Sequence, residues 1–303
     1  MSKVAKCLSY VLPVLLLAVL ISSYVAYIHT YCAKFLKKEP VLTVVLLVVL
    51  NILFLMLVWA LLTTVSARPK LVPEKYKVKK EDFEAYLKCA ETEAQKKFLS
   101  NLADRMGLVL DQRSSFGMLR FCSICLQFKP DRAHHCSHCG VCLLKMDHHC
   151  PWIANCVGLH NQKAFILTVL YTVLYCSFYV GTTMPFILAY FNGHTDFTTV
   201  PIMVGFAIAG LLGTMAAIFY LYHCSLVFRN ETTLEEMQRK VLFIQTSRTY
   251  NLGFRKNFIQ VFGRKWYKWF LPIYTSEGDG CTWETKESRS SSRQATEPNR
   301  HNP

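Results

Sequence analysis

The sequence predicts an all-α polytopic membrane protein: four transmembrane helices, with a cytosolic zinc-binding Cys-rich module between spans two and three. Three observations predict it. Four stretches, approximately 11–31, 41–65, 164–190 and 199–228, are almost free of charge, and each reaches the roughly 20 residues a helix needs to cross a bilayer core of about 30 Å. Lys and Arg gather beside the ends of those stretches. Seven cysteines and five histidines are packed between Cys122 and Cys156.

Lys3 and Lys6 precede the first apolar run, as they would in a signal peptide. The run is long and no small-x-small cleavage site follows it, so it reads as an uncleaved anchor. Pro13, Pro185 and Pro201 fall near the ends of their stretches, where helices tolerate proline better. Of 34 Lys and Arg, two precede span one, three lie between spans one and two, sixteen between spans two and three, and thirteen after span four. Arg68, Lys70, Lys163 and Arg229 closely flank the membrane. Basic residues favour the cytosolic side, so both termini and the 66–163 segment are expected in the cytosol.

This divides the chain into 1–65 (N-terminus and spans one and two), a cytosolic loop 66–163, spans three and four over 164–228, a membrane-associated segment 229–275, and a disordered tail 276–303. Within the loop, Phe83, Tyr86, Leu87, Ala90, Ala94, Phe98, Leu102 and Met106 recur every three or four residues, which predicts an amphipathic helix over 79–106. Residues 111–118 read as a linker. In span four, Gly205, Ala209, Gly213 and Ala217 fall every four residues, a face that allows close helix approach. Aromatic and basic residues alternate over 251–274, the pattern of a segment lying in the membrane interface. The tail is rich in Ser, Arg, Glu and Asn and reads as disordered.

The formal net charge of +14 sits beside membrane ends, where anionic lipid attracts it, and no spacing matches a DNA-binding zinc finger. The partners expected are therefore a lipid bilayer and no nucleic acid. Thirteen cysteines could suggest disulfides, but in a reducing cytosol those at metal spacing read as thiolate ligands. Asn230-Glu231-Thr232 fits a glycosylation acceptor but falls on the wrong side. Cys7, near a membrane end, is a candidate for lipidation.

The Cys/His run is C-x2-C-x9-H-C-x2-C-x2-C-x4-D-H-H-C-x5-C. A C-x2-C turn brings two sulfurs to one tetrahedral metal. The pairs 136/139 and 139/142 overlap, so two sites must interleave. Two sites of three Cys and one His would use six Cys and two His and leave one Cys over. Asp147-His148-His149-Cys150 then sets an acid, an imidazole and a spare thiol side by side, like a nucleophile with its activating base. Spacing alone does not choose among His134, His135, His138, His148 and His149.

Here the sequence resembles the DHHC protein S-acyltransferases, or palmitoyltransferases. The likeness rests on the cysteine-rich module (120–165), the four-span layout, Thr232-Thr233-Leu234-Glu235 after the last span, and Asn257 within NFIQVFG. LKMDHHCPW looks most like the broad-specificity branch that acts near the Golgi and plasma membrane, so a Golgi, ER or plasma membrane is expected. The resemblance implies one structural Zn2+ on Cys122, Cys125, His135 and Cys142, and a second on Cys136, Cys139, His149 and Cys156. It implies that Cys150 takes a palmitoyl or other long-chain acyl group from acyl-CoA as a thioester and passes it to membrane-proximal cysteines of cytosolic-facing protein substrates.

His148 lies two positions before Cys150, so an extended strand puts both on one face and His149 on the other. Asp147 would orient His148, as in a catalytic triad. Trp152 beside the nucleophile suits an interfacial position. Ser23 and Tyr175 are implied as the closed end of the acyl cavity. Arg120, Lys129, Arg132 and His134 form the module's basic face and would bind the CoA phosphates. Ala154 stands where the family usually has Asn, Gln162 where it commonly has Tyr, and Ala67-Arg68-Pro69 where it has Asp-Pro-Gly. His223-Cys224 lacks partners at ligand spacing and reads as packing. A non-catalytic adaptor built on the zinc module is the rival reading, and it predicts a Cys150 without enhanced reactivity. A RING-like ubiquitin ligase would need a different Cys/His order.

Overall fold

The computed structural model describes residues 7–114, 116–192, 200–241 and 250–286. Four of its helices are long and apolar enough to cross a membrane: Cys7–Ala33, Pro40–Ser66, Gln162–Phe191 and Val200–Arg229. The first comprises α1 (Val11–Ala26), which widens into π-helical turns over Tyr27–Phe35. The second is α2 (Pro40–Ser66), with Pro40 at its first position, where a missing N–H costs nothing. The residues expected to connect spans three and four lie mostly outside the described residues, as does the tail beyond Lys286.

Between α2 and the third span come two short helices, α3 (Lys80–Leu87) and α4 (Thr92–Arg105). The single helix expected over 79–106 is therefore broken. Lys88 and Cys89 N–H bond back only three residues, to Ala85 and Tyr86, which tightens the last turn and ends it. Gln95 Nε2 then donates to Cys89 O, 2.9 Å, capping the break. The fold-back stacks Phe83, Tyr86 and Phe98 around Phe121 of the module. The apolar period was right for each half, and ring packing on the module fixes the bend.

The module consists of three two-stranded antiparallel hairpins: β1 (Phe121–Cys122) with β2 (Gln127–Phe128), β3 (His134–Cys136) with β4 (Val141–Leu143), and β5 (His148–Cys150) with β6 (Asn155–Val157). Strands this short cannot stand alone. Asn155 Nδ2 donates to the carbonyls of Thr64, Val65 and Ala67, and Asn161 Nδ2 to Thr64 O. Two buried amides thus satisfy the orphan carbonyls at the end of α2 and clamp β6 to the bundle.

The third span is α5 (Gln162–Phe191), with Pro185 inside it rather than at its end, as membrane helices tolerate. It packs along α6 (Val200–Arg229). The small-residue stripe serves this contact: a Cβ on Gly205 would meet Tyr179, and one on Gly213 would meet Cys176. Then follow α7 (Thr233–Val241) and α8 (Phe254–Phe262). Asn257 is buried, donates to Phe228 O at 2.7 Å, and so pins α8 to the end of α6. The tail expected from Ser276 is ordered through Lys286: Cys281 and Thr285 are buried, and Trp283 Nε1 donates to Asp131 O. Apolar Cys281 and Trp283 carry this polar stretch onto the module.

Candidate active site and metal centres

Two groups of side chains bring four ligand atoms each within 4.8 Å of one another: Cys122, Cys125, His135, Cys142, and Cys136, Cys139, His149, Cys156. In the first, His135 Nδ1 lies 3.6, 3.3 and 3.8 Å from the sulfurs of Cys122, Cys125 and Cys142. In the second, His149 Nδ1 lies 3.7, 3.5 and 3.4 Å from those of Cys136, Cys139 and Cys156. Metal–sulfur bonds of about 2.3 Å and metal–nitrogen bonds of about 2.0 Å give tetrahedral edges of roughly 3.5–3.8 Å. The donor sets therefore fit a tetrahedral ion, and among the described residues each group has four ligand atoms. β3 and β4 supply His135, Cys136 and Cys142 from one hairpin. The register pairs His135 with Cys142, and the strand's alternation sends Cys136 to the other site.

The same alternation governs β5. His149 pairs with Cys156 across its hairpin and joins the second metal group. His148 and Cys150 share the opposite face. Cys150 is buried, 7% exposed, in one apolar cluster with Ile153, Phe165 and Leu61 of the bundle. His148 Nδ1 lies 2.6 Å from Asp147 Oδ2, which leaves Nε2 for the thiol. Burial disfavours the charged imidazole, but the Asp147 hydrogen bond and the neighbouring Cys150 outweigh it and push His148 up to about 9. Burial would likewise raise Asp147, yet the His148 bond and charge, with the Thr233 N–H, hold it below the ordinary carboxylate value.

Thr232-Thr233-Leu234-Glu235 acquires a physical meaning. Glu235 N–H donates to Thr232 Oγ1 and Thr232 N–H to Glu235 Oε2, the reciprocal bonds of a capping box at the start of α7. Thr233 donates both N–H (2.9 Å) and Oγ1 (2.7 Å) to Asp147, so the carboxylate sits at a helix N-terminus, where negative charge is favoured. Glu235 also accepts from Arg132 Nε (2.7 Å) and Nη2 (2.8 Å).

The expected basic face is thus corrected at one position. Arg132 is wholly buried, bonded to Glu235, to Asn230 Oδ1 and O, and sandwiched by Tyr250 and Trp283. It is an internal cross-link between module and C-terminal segment, with its fork already filled. Arg120 and Lys129 are half-buried. Arg120 donates to Gln112 and to Ala133 O, and lies 3.3 Å from His134 Nδ1. Burial and the Arg120 charge push His134 down to about 3. Trp152 is 56% exposed, on the single turn Pro151–Ile153 that touches α1 and α2.

Inside the bundle a cavity of about 500 Å³ is lined almost wholly by apolar side chains of all four spans. Ser23 and Tyr175 both line it and bond to each other, 3.0 Å. Leu61 and Thr168 line its end nearest the module, one turn from the Thr64 carbonyl that grips Asn155, the strand partner of Cys150. The module end of the cavity is therefore tied, through Thr64 and Asn155, to the hairpin that carries Cys150.

His223, which the sequence reads as packing, lies beside His148 in the structure. It is buried, its ring lies 5.9 Å from His148 and 5.2 Å from Phe165, and its Nε2 has no partner. Its place two turns before the Thr-Thr pair was the available signal. Asn155 and Asn161 carried no motif at all.

Comparison with known proteins gives a consistent result. A family model described as DHHC palmitoyltransferase matches residues 115–240. Palmitoyltransferase ZDHHC2 of Danio rerio is 38% identical over 91% of this chain and 77% of its own. Palmitoyltransferase ZDHHC15 of Homo sapiens is 34% identical over 94% of this chain and 85% of its own, and Palmitoyltransferase ZDHHC2 of Homo sapiens 35% identical over 95% and 79%.

Proposed function

The chain belongs to the DHHC palmitoyltransferase family and is a multi-pass membrane protein S-palmitoyltransferase, and from that premise we propose that Cys150 is the acyl carrier, with His148 as its base and Asp147 as the group that orients His148. In the first step the Cys150 sulfur attacks the carbonyl carbon of a long-chain acyl-CoA thioester, and His148 Nε2 takes the thiol proton. The C–S bond to CoA breaks and its sulfur leaves with that proton. In the second step a cysteine of a substrate protein gives its proton to His148 and attacks the acyl-enzyme, and Cys150 leaves as the thiol. The thiolate is the nucleophile in both steps.

The two Cys/His groups would each hold Zn2+. A closed three-sulfur, one-nitrogen set with no open position suits a structural ion, and such an ion supplies folding energy. The protein's own residues then do the chemistry. The acyl chain would lie in the bundle cavity, narrowed at Ser23 and Tyr175, where burial yields about 0.8 kcal/mol per CH2. Arg120, Lys129 and His134 would meet the CoA head group at the module surface. The exposed Trp152 beside Cys150 would sit in the interface where a substrate cysteine approaches. The crowding of basic residues at the module end of the spans supports a cytosolic module and termini, and hence cytosolic-facing protein substrates.

The single observation that carries this reading is the 2.6 Å His148–Asp147 contact on the strand face that also holds the spare thiol, above an apolar cavity. Incubation of the purified protein with labelled palmitoyl-CoA should give a hydroxylamine-sensitive adduct. Cys150→Ser should abolish it and leave two Zn2+ per chain. Loss of zinc in that variant would move Cys150 into a metal shell and end the assignment.

A further inference from the structure

Attack on a thioester puts negative charge on an oxygen. When the sulfur adds to the carbonyl carbon, the C=O electron pair moves to oxygen, and a donor aimed at that oxygen lowers the barrier. A common source in acyl-transfer sites is the backbone N–H of the residue after the nucleophile. Here that residue is Pro151, which has no N–H, so that source is closed. Ile153, Phe165 and Leu61, which share the Cys150 cluster, have no side-chain donor to offer.

α6 brings an uncommitted nitrogen to this corner. His223 is 3% exposed, and its Nε2 is buried without a hydrogen-bond partner among the described residues. A buried nitrogen left unpaired costs free energy, and ionisable side chains inside membrane spans tend to mark function. The His223 ring lies 5.9 Å from the ring of His148 and 5.2 Å from that of Phe165. Phe165 in turn lies 5.3 Å from His148, and His148 is hydrogen-bonded to Cys150. The three rings therefore form a triangle beside the thiol. Phe165 and Phe219 both meet the imidazole of His223 at 76°, which fixes its plane. A phenyl ring would pack against these two as well as an imidazole does, so packing does not account for the nitrogen.

We propose that His223 is a further catalytic residue: its Nε2–H donates to the carbonyl oxygen of the acyl thioester and holds the charge that develops there. This rests on Cys150 as the acyl carrier. The sulfur of Cys150 bonds to the carbonyl carbon, and the displaced π pair rests on the oxygen that His223 faces. The pair then returns, the C–S bond to CoA breaks, and the CoA sulfur takes the proton that His148 removed from Cys150. The same oxygen carries the charge again when a substrate cysteine attacks the acyl-enzyme. His223 gives up no proton in either step.

The test compares two reactions of the same thiol in the full-length protein in nanodiscs. Acylation by palmitoyl-CoA develops an oxyanion. Alkylation by iodoacetamide displaces iodide and develops none, and it is read at Cys150 by peptide mass spectrometry. His223→Phe keeps the ring and removes the donor. Its single-turnover acylation at saturating palmitoyl-CoA should fall by about 10²-fold or more, while alkylation stays within about threefold of the wild type. His223→Gln carries an amide N–H at the reach of Nε2, whereas the amide of His223→Asn reaches only the depth of Nδ1. The Gln variant should therefore acylate about tenfold faster than the Asn variant or better. Where the Phe variant yields no folded protein, the Gln and Asn pair gives the same reading. A parallel fall in acylation and alkylation would make His223 a support for His148 and overturn the proposal. Gln no better than Asn, or acylation unchanged in every variant, overturns it as well. A wild type that palmitoyl-CoA does not label refutes instead the assignment of Cys150.

Discussion

Asp147 is the side chain on which the site turns. It is 1% exposed, and it keeps its charge because three donors meet it: His148 Nδ1, Thr233 N–H and Thr233 Oγ1. Asp147→Asn can keep the shape and the Thr233 bonds but presents an amide to His148, which favours the wrong tautomer. The analogous change in a serine-protease triad costs about 10⁴-fold. The rate of Cys150 autoacylation should fall by about 10³-fold or more with two Zn2+ per chain retained, measured by single-turnover labelling and metal analysis. Arg132 is the counterpart on the structural side. Arg132→Met leaves Glu235 facing an unpaired buried site, and removing one partner of such a pair costs about 3–5 kcal/mol. The melting temperature should fall sharply. Adding Glu235→Leu to the same chain should recover part of the loss, because the stranded charge then disappears.

Among the elements, the turn between β5 and β6 carries a visible strain. Ala154 has φ 50° and ψ 31°, a left-handed conformation that costs an L-residue roughly 1–2 kcal/mol and that Asn tolerates better. Ala154→Asn should therefore stabilise the module by about 1 kcal/mol, read as a higher midpoint in chemical unfolding. At α7, Thr232→Ala removes an N-cap, and a loss of about 1 kcal/mol is expected by the same measurement. These elements also show what the sequence could and could not convey. The metal framework was legible because its information is local: ligand count, C-x2-C turns and strand alternation all lie within Cys122–Cys156. The choice of His149 over its neighbours came from the family resemblance, and the strand alternation of β5 agrees with it. Arg132 was not legible, because it sits in a row of similar bases and its burial is set by Asn230 and Glu235 about a hundred positions later. The break between α3 and α4 escaped for a related reason, since an apolar period continues through a bend that packs onto Phe121, distant in sequence. Cys281 and Trp283 were hidden in a polar tail, where two side chains among many hydrophilic ones suffice to dock it.

At the scale of the whole molecule, two bodies of unlike stability meet at Cys150. The bundle is held by its own packing and by hydrogen bonds between spans, such as Tyr27 to Thr182 and Tyr24 to Asn51. The module has strands of two or three residues and small apolar clusters, so its order would depend on the bound ions. Its grip on the bundle runs through Asn155 and Asn161 on the carbonyls of α2, and through Arg132 and Asp147 on the segment that starts α7. Each of those groups is within a few residues of a metal ligand. Stripping the ions with a strong chelator should therefore free the β5–β6 hairpin, separate Cys150 from the cavity mouth and abolish autoacylation. The four spans should persist, so the helical circular-dichroism signal should fall by only a small fraction. Cys150, no longer shielded by the bundle, should meanwhile react faster with a bulky water-soluble maleimide, a readout that loss of activity alone does not give. A collapse of most of the helical signal would mean that the module, and not the packing of the spans, holds the membrane domain together.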